Sequence, residues 1–139
     1  MVPHIPISTI MTKNIIAISP REDLDRVEML FNRHKIKHMP VISHGVIVGM
    51  LSFTDLMRIS FAETAPEGSR SVNSVVYNAF TIEQVMAKDV VTVTSDTSIK
   101  DVAKLLADRE FHAVPVVDDG EPVGIVSSTD LLYYLVKQI

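Results

Sequence analysis

The feature that most constrains this chain is an internal duplication. Displaced by 75 residues, Ile7–Ser60 aligns without a gap on Ile82–Leu135, and fourteen positions are identical. Met11 falls on Met86, Pro40 on Pro115, Gly45 on Gly120 and Asp55 on Asp130. Most other positions keep their class, as in Ile15-Ile16-Ala17-Ile18 against Val90-Val91-Thr92-Val93. A fixed period means two copies of one supersecondary unit. Each copy, at about 55–60 residues, is marginal as a lone folding unit. The two are therefore expected to share a core with approximate two-fold symmetry.

Both copies read alike. A short amphipathic segment, 7–11 or 82–86, leads to a β-branched strand at 15–18 or 90–93. The helix that follows carries Leu24, Val27, Leu30 and Phe31 in the first copy. The second has Ile99, Val102, Ala103, Leu105 and Leu106, spaced for one buried face. Asp23 and Ser98 stand where N-caps are expected. Strands starting at Met39 and Val114 then turn through Ser-His-Gly or Asp-Asp-Gly, which supplies positive φ for a tight hairpin. The return strands run through Val48–Leu51 and Val123–Val126, and Pro122 opens the second of them. A last helix begins at Thr54-Asp55-Leu56 or Thr129-Asp130-Leu131. Phe61–Thr81, with Pro66, Gly68 and several Ser, has the composition of a linker, although Val72, Val75, Val76, Tyr77 and Phe80 suggest that part of it packs back. The domain boundaries implied are 7–60, a linker 61–81, and 82–139.

Composition excludes several functions. The 139 residues carry 13 Lys+Arg against 17 Asp+Glu, a net charge of −4, whereas phosphate-backbone binding needs a net-basic face. No nucleic-acid partner is expected. There is no Cys, which rules out disulfides and thiolate zinc and fits a reducing, cytoplasmic location. The most membrane-like stretch, Met39 to Thr54, is short and interrupted by Pro40, His44, Gly45 and Gly49, so no membrane span is expected. The N-terminus shows no secretory signal. His34 and His38 could share a helix face as metal ligands, but no carboxylate supports them, and solvated or phosphate-facing histidines are the expectation. Nothing resembles a nucleophilic triad or a P-loop, and Asp55 and Asp130 have no general-acid surroundings, so no enzyme is expected.

The chemistry resides in Ser52-Phe53-Thr54-Asp55 and Ser127-Ser128-Thr129-Asp130. Each tetrad stands where a strand ends and a helix begins, where unpaired amides and the positive dipole end welcome an anion. The hydroxyls add donors, while the carboxylate can accept from two vicinal sugar hydroxyls. Phosphate donors beside a diol acceptor describe a ribonucleotide. A plain N-cap would use the same residues, and duplicated caps would also recur.

Ile10-Met11-Thr12-Lys13, His38-Met39-Pro40-Val41-Ile42 and Gly49 to Leu56 recur in order as Val85–Lys88, Ala113–Val117 and Gly124–Leu131. With these parts the chain resembles a tandem pair of cystathionine β-synthase (CBS) domains, a Bateman module, over about 7–60 and 82–139. The resemblance implies an α/β (α+β) fold of two β-α-β-β-α units related by a pseudo-two-fold and packed through their sheets. It also implies adenosine-nucleotide binding (AMP, ADP or ATP) in two clefts between the copies, as a regulatory ligand with no cofactor required. One cleft would combine Asp130, Thr129, Ser127 and Ile125 with Asn14, Ile16, Ile36, Lys37 and His38. The other would combine Asp55, Thr54, Ser52 and Met50 with Asp89, Val91, Phe111, His112 and Ala113. The net charge divides as +2, −1 and −5 over copy, linker and copy. By the cross-copy geometry, the cleft of Asp130 is the more basic and takes the more phosphorylated nucleotide.

The sequence Leu131 to Val136 is apolar throughout, more than one face of a small core can cover. A homodimer with the last helices in contact is expected, signalling in trans to an effector protein. The alternatives are a ligand-free dimerisation scaffold, or a binder of another adenosyl ligand such as S-adenosylmethionine or NAD.

Overall fold

A computed structural model describes residues 4–63 and 79–139, with the backbone alone for 60–63. The elements are a 3₁₀ turn at Ile7–Thr9, α1 (Leu24–His34), β1 (His38–Ser43), β2 (Val46–Ser52) and α2 (Phe53–Glu63). After the linker come α3 (Ile82–Val85), α4 (Ile99–Arg109), β3 (Ala113–Asp118), β4 (Glu121–Ser127) and α5 (Ser128–Gln138). The fold is mixed α/β, with two small antiparallel sheets, β1-β2 and β3-β4. The two hairpins match in register, down to a bulge after Val41 and after Val116.

The hairpin turns have the expected chemistry. His44-Gly45 and Asp119-Gly120 all take positive φ, the arrangement that joins two strands in the right-handed twist. The helices bury the anticipated faces: Leu24, Val27, Leu30 and Phe31 on α1, and Ile99, Val102 and Leu106 on α4. Ala103 and Leu105 are half-buried. Both helices stop at a residue in the left-handed region, Lys35 and Glu110, whose amide returns to the carbonyl of Phe31 or Leu106.

Two expectations need correction. Ser98 caps α4 by accepting from the Asp101 amide, but the Asp23 side chain makes no cap bond on α1. The preceding turn is tied instead by Glu22, which accepts from the Ser19 amide and pairs with Arg26. The strands expected at 15–18 and 90–93 are each reduced to one parallel bridge, Ile18 to Val41 and Val93 to Val116. Ile18 donates to the Pro40 carbonyl and accepts from Ile42; Val93 does the same with Pro115 and Val117. The next rung would need an N–H from Pro40 or Pro115, and proline has none. The prolines that mark the repeat therefore end its first strand.

The chain forms two compact units, 16–90 and 1–15 with 91–139. These do not coincide with the sequence repeats, because the segment leading into each copy packs on the other copy. Ile82 lies in the core of the 16–90 unit with Phe31, Met39, Val41, Leu51 and Leu56, and its repeat mate Ile7 lies in the other core with Val102, Val114, Val116 and Val126. Ala87 bridges Met50 on the outer edge of β2 through two hydrogen bonds, of 3.0 and 2.8 Å. Thr12 bridges Ile125 on β4 in the same way, at 2.8 and 3.0 Å. Gly49 and Gly124 make these bridges possible. A Cβ on Gly49 would collide with the Met86 sulfur and meet Met86 Cγ at 2.8 Å; one on Gly124 would meet Met11 Sδ at 2.6 Å and the Thr12 carbonyl at 3.1 Å.

Thr81 opens α3 with a reciprocal capping box to Gln84, and Phe80 packs on the core of the 16–90 unit. Val72, Val75, Val76 and Tyr77 lie outside the described residues. No helix among the described residues is long and apolar enough to cross a membrane.

Candidate functional site

Each tetrad sits at the junction its sequence demands. Ser52 is the last residue of β2, and Ser127 the last of β4. Ser52 Oγ accepts from the Asp55 amide at 3.0 Å, and Ser127 Oγ from the Asp130 amide at 3.1 Å. Helix starts need such acceptors, so the serines cap α2 and α5. Each hydroxyl keeps its own proton to donate. Thr54 and Thr129 are exposed on the first turn, and both aspartates are half-buried.

The carboxylates differ. Asp130 Oδ2 accepts from the Ser127 amide at 2.9 Å and closes a reciprocal capping box. Asp55 Oδ1 instead pairs with Arg58 one turn along α2, at 2.9 Å. The second copy has Tyr133 where the first has Arg58, so this pair belongs to one repeat alone.

The residues before the prolines come to the same junctions. Phe53 donates its amide to the Lys37 carbonyl at 2.8 Å, and Ser128 donates to His112 at 2.9 Å. His38 lies opposite Ser52, and Ala113 opposite Ser127. The Lys37 ammonium lies 4.7 Å over the Phe53 ring, which also packs edge-on against Phe31. A fixed cation thus stands beside the start of α2. The second copy has His112 and Ser128 there.

Among the expected ligand residues, the 16–90 unit holds Ile16, Ile36, Lys37, His38, Met50, Ser52, Thr54, Asp55 and Asp89. The other holds Asn14, Val91, Phe111, His112, Ala113, Ile125, Ser127, Thr129 and Asp130. Met50 and Ile125 are the residues bridged by Ala87 and Thr12, so the lead-in segments reach the strands that carry the tetrads. Sequence reasoning missed Arg58 and the crossed segments. The signal for the second was present: a glycine inside a strand marks close backbone approach, and Met11, Met86, Gly49 and Gly124 are all among the repeat identities. Among the described residues, no group of three His, Asp or Glu could hold a metal ion.

The family model of the CBS domain matches residues 7–62 and, separately, 82–137. The chain belongs to the CBS domain family. Its fold matches the crystal structure of the CBS domain pair of protein MJ0100 in complex with 5′-methylthioadenosine and S-adenosyl-L-methionine. That match has a TM-score of 0.81 and 25% identity, covering 99% of this chain and all of that one. Among curated proteins, the CBS pair is 27% identical over 125 residues to the uncharacterised protein MJ1225 of Methanocaldococcus jannaschii, covering 89% of this chain but 45% of that protein. It is also 27% identical over 121 residues to the CBS domain-containing protein YhcV of Bacillus subtilis, covering 87% of this chain and 79% of YhcV. The CBS pair thus spans less than half the length of the first relative and most of the second.

Proposed function

We propose that this CBS pair is a non-enzymatic regulatory module that binds an adenosine ligand at its two tetrads. The observation that carries the reading is the tetrad itself: in duplicate, it sets a serine hydroxyl, an exposed threonine hydroxyl and a half-buried carboxylate at a helix start. The MJ0100 pair, which this fold follows from end to end, is recorded with two adenosyl ligands. In the proposed complex Asp55 and Asp130 accept from ribose hydroxyls. Ser52, Thr54, Ser127 and Thr129 face phosphate, or the 5′ substituent of a nucleoside. Met50 and Ile125, with Asn14, Ile16, Asp89, Val91 and the stretches 36–38 and 111–113, line the base. AMP, ADP or ATP is the expected ligand class, with S-adenosylmethionine, 5′-methylthioadenosine and NAD as the competing adenosyl compounds.

The signal requires a ligand to favour one arrangement of the chain over another. We place its output in trans on an effector protein of the cytoplasm, through a homodimer. What supports the dimer is α5, whose Leu132, Tyr133, Leu135 and Val136 are 52–67% exposed. The reciprocal box of Ser127 and Asp130 favours a second reading, a scaffold whose tetrads are caps and nothing more. A thermal-shift panel of AMP, ADP, ATP, S-adenosylmethionine, 5′-methylthioadenosine and NAD separates the two. Stabilisation by one class, weakened about ten- to a hundredfold in affinity by Asp55→Ala or Asp130→Ala, is the expected result. No shift with any ligand leaves the scaffold reading ahead.

A further inference from the structure

The two methionines that hold the lead-in segments have no part in the ligand reading. Met86 lies with its sulfur and Cγ on Gly49, and Met11 with its sulfur and Cγ on Gly124. Each seat is closed by a backbone carbonyl, Ala87 O or Thr12 O, that already accepts from β2 or β4. We propose that Met11 and Met86 are paired sites of reversible oxidation, and that their sulfoxides release the lead-in segments from the hairpins.

The chain has seven Met, no Cys and no Trp, so its sulfur redox chemistry is methionine chemistry. Met39 is fully buried, while Met11 and Met86 are half-buried and within reach of a small oxidant. With hydrogen peroxide, the thioether lone pair attacks one peroxide oxygen and the S–O bond forms as the O–O bond breaks. The displaced hydroxide takes the proton of the transferred oxygen and leaves as water, so one peroxide yields one sulfoxide and one water. The new oxygen is bulky and needs a donor. The seat offers a glycine and a carbonyl, and the bridge amides of Met50, Ala87, Thr12 and Ile125 are already paired. A sulfoxide oxygen turned into the seat finds no free donor there, so oxidation favours displacement of the segment toward water, which opens the outer edges of β2 and β4. The same geometry in both units makes them respond to one oxidant together. The inference stands whether or not an adenosine ligand binds.

The test treats the full chain with hydrogen peroxide and maps sulfoxide at each methionine by peptide mass. Thermal unfolding is followed before and after treatment, and again after methionine sulfoxide reductase. Oxidation of Met11 and Met86 should lower Tm by about 5 °C or more, and the reductase should restore it. The Met11→Leu/Met86→Leu chain should lose no more than about 1 °C under the same treatment. A time course on the unaltered chain needs no variant: amide protection at Met50, Ala87, Thr12 and Ile125 should fall in step with oxidation of Met11 and Met86. The proposal is overturned when both stay reduced while exposed Met29 is fully oxidised, or when the leucine chain loses as much stability as the wild type. Amide protection that survives their oxidation overturns it equally.

Discussion

The two compact units are built from the same repeat, yet they are assembled differently. One is a continuous stretch, 16–90, while the other joins the first fifteen residues to 91–139. Their hairpins, glycine seats and helix stops correspond in kind, so the repeat preserves what packs. They diverge where chemistry is proposed: Asp55 is tied to Arg58, and Asp130 to the backbone of its own cap. Duplication has thus kept the scaffold and released the surroundings of the carboxylate.

The widest test of the shared scaffold is at the seats. Gly49→Ala and Gly124→Ala should each cost about 1–3 kcal/mol in urea unfolding, because the added methyl meets a methionine and a backbone carbonyl. A neutral result at either glycine would show that its seat yields and that the units differ in packing as well.

The divergence at the carboxylates predicts unequal stabilities. Asp130→Ala removes half of a reciprocal cap, a loss of about 1 kcal/mol. Asp55→Ala removes a pair whose arginine is 71% exposed, a loss of about 0.3 kcal/mol. Equal losses by denaturant titration would erase the distinction between the two sites.

The helix stops should behave alike. Lys35 and Glu110 hold φ of 54° and 57°, where glycine has no steric penalty. Lys35→Gly and Glu110→Gly should each stabilise by about 0.5 kcal/mol, and a gain at one alone would reveal different strain.

Acid separates the units again. The Ser95 hydroxyl and amide donate to Asp118 at 2.6 and 2.9 Å and hold its carboxyl below the usual carboxylate range. The pair contributes stability above the ordinary carboxylate pKa near 4, and that contribution fades as pH falls through the depressed value. The first copy has Pro20 and Ser43 at these places, with nothing to titrate. Hydrogen exchange should show the Ser95 amide losing protection in the wild type only as pH falls below the usual carboxylate range. At pH 7, Asp118→Ala, which removes the acceptor, should show the same loss.

Much of the fold is legible in the sequence. His44-Gly45 and Asp119-Gly120 announce their turns because few residues accept positive φ, and Leu24 to Phe31 announce a helix face by spacing alone. Both are local, and local geometry is what residue identity constrains most tightly. The first strands are shorter than their pattern suggests: four β-branched positions satisfy a strand pattern, but the missing N–H lies on the partner, at Pro40 and Pro115. Asp23 makes no cap bond, and Glu22 beside it ties the preceding turn through the Ser19 amide, a choice between neighbouring carboxylates that residue type does not decide. At the tetrads, the cap and the ligand readings rest on the same atoms, so the sequence points to both. The crossed lead-in segments stay hidden because a repeat shows what resembles what, not which copy touches which.

That crossing also sets an order of assembly on the ribosome. Everything needed by the 16–90 unit, Ile82 and Ala87 included, has been synthesised by residue 90. Ile7 leaves the tunnel long before its neighbours Val114, Val116 and Val126 exist. Ile7 is thus made well before the residues it packs against, and until Val126 has emerged it is an unclaimed apolar side chain.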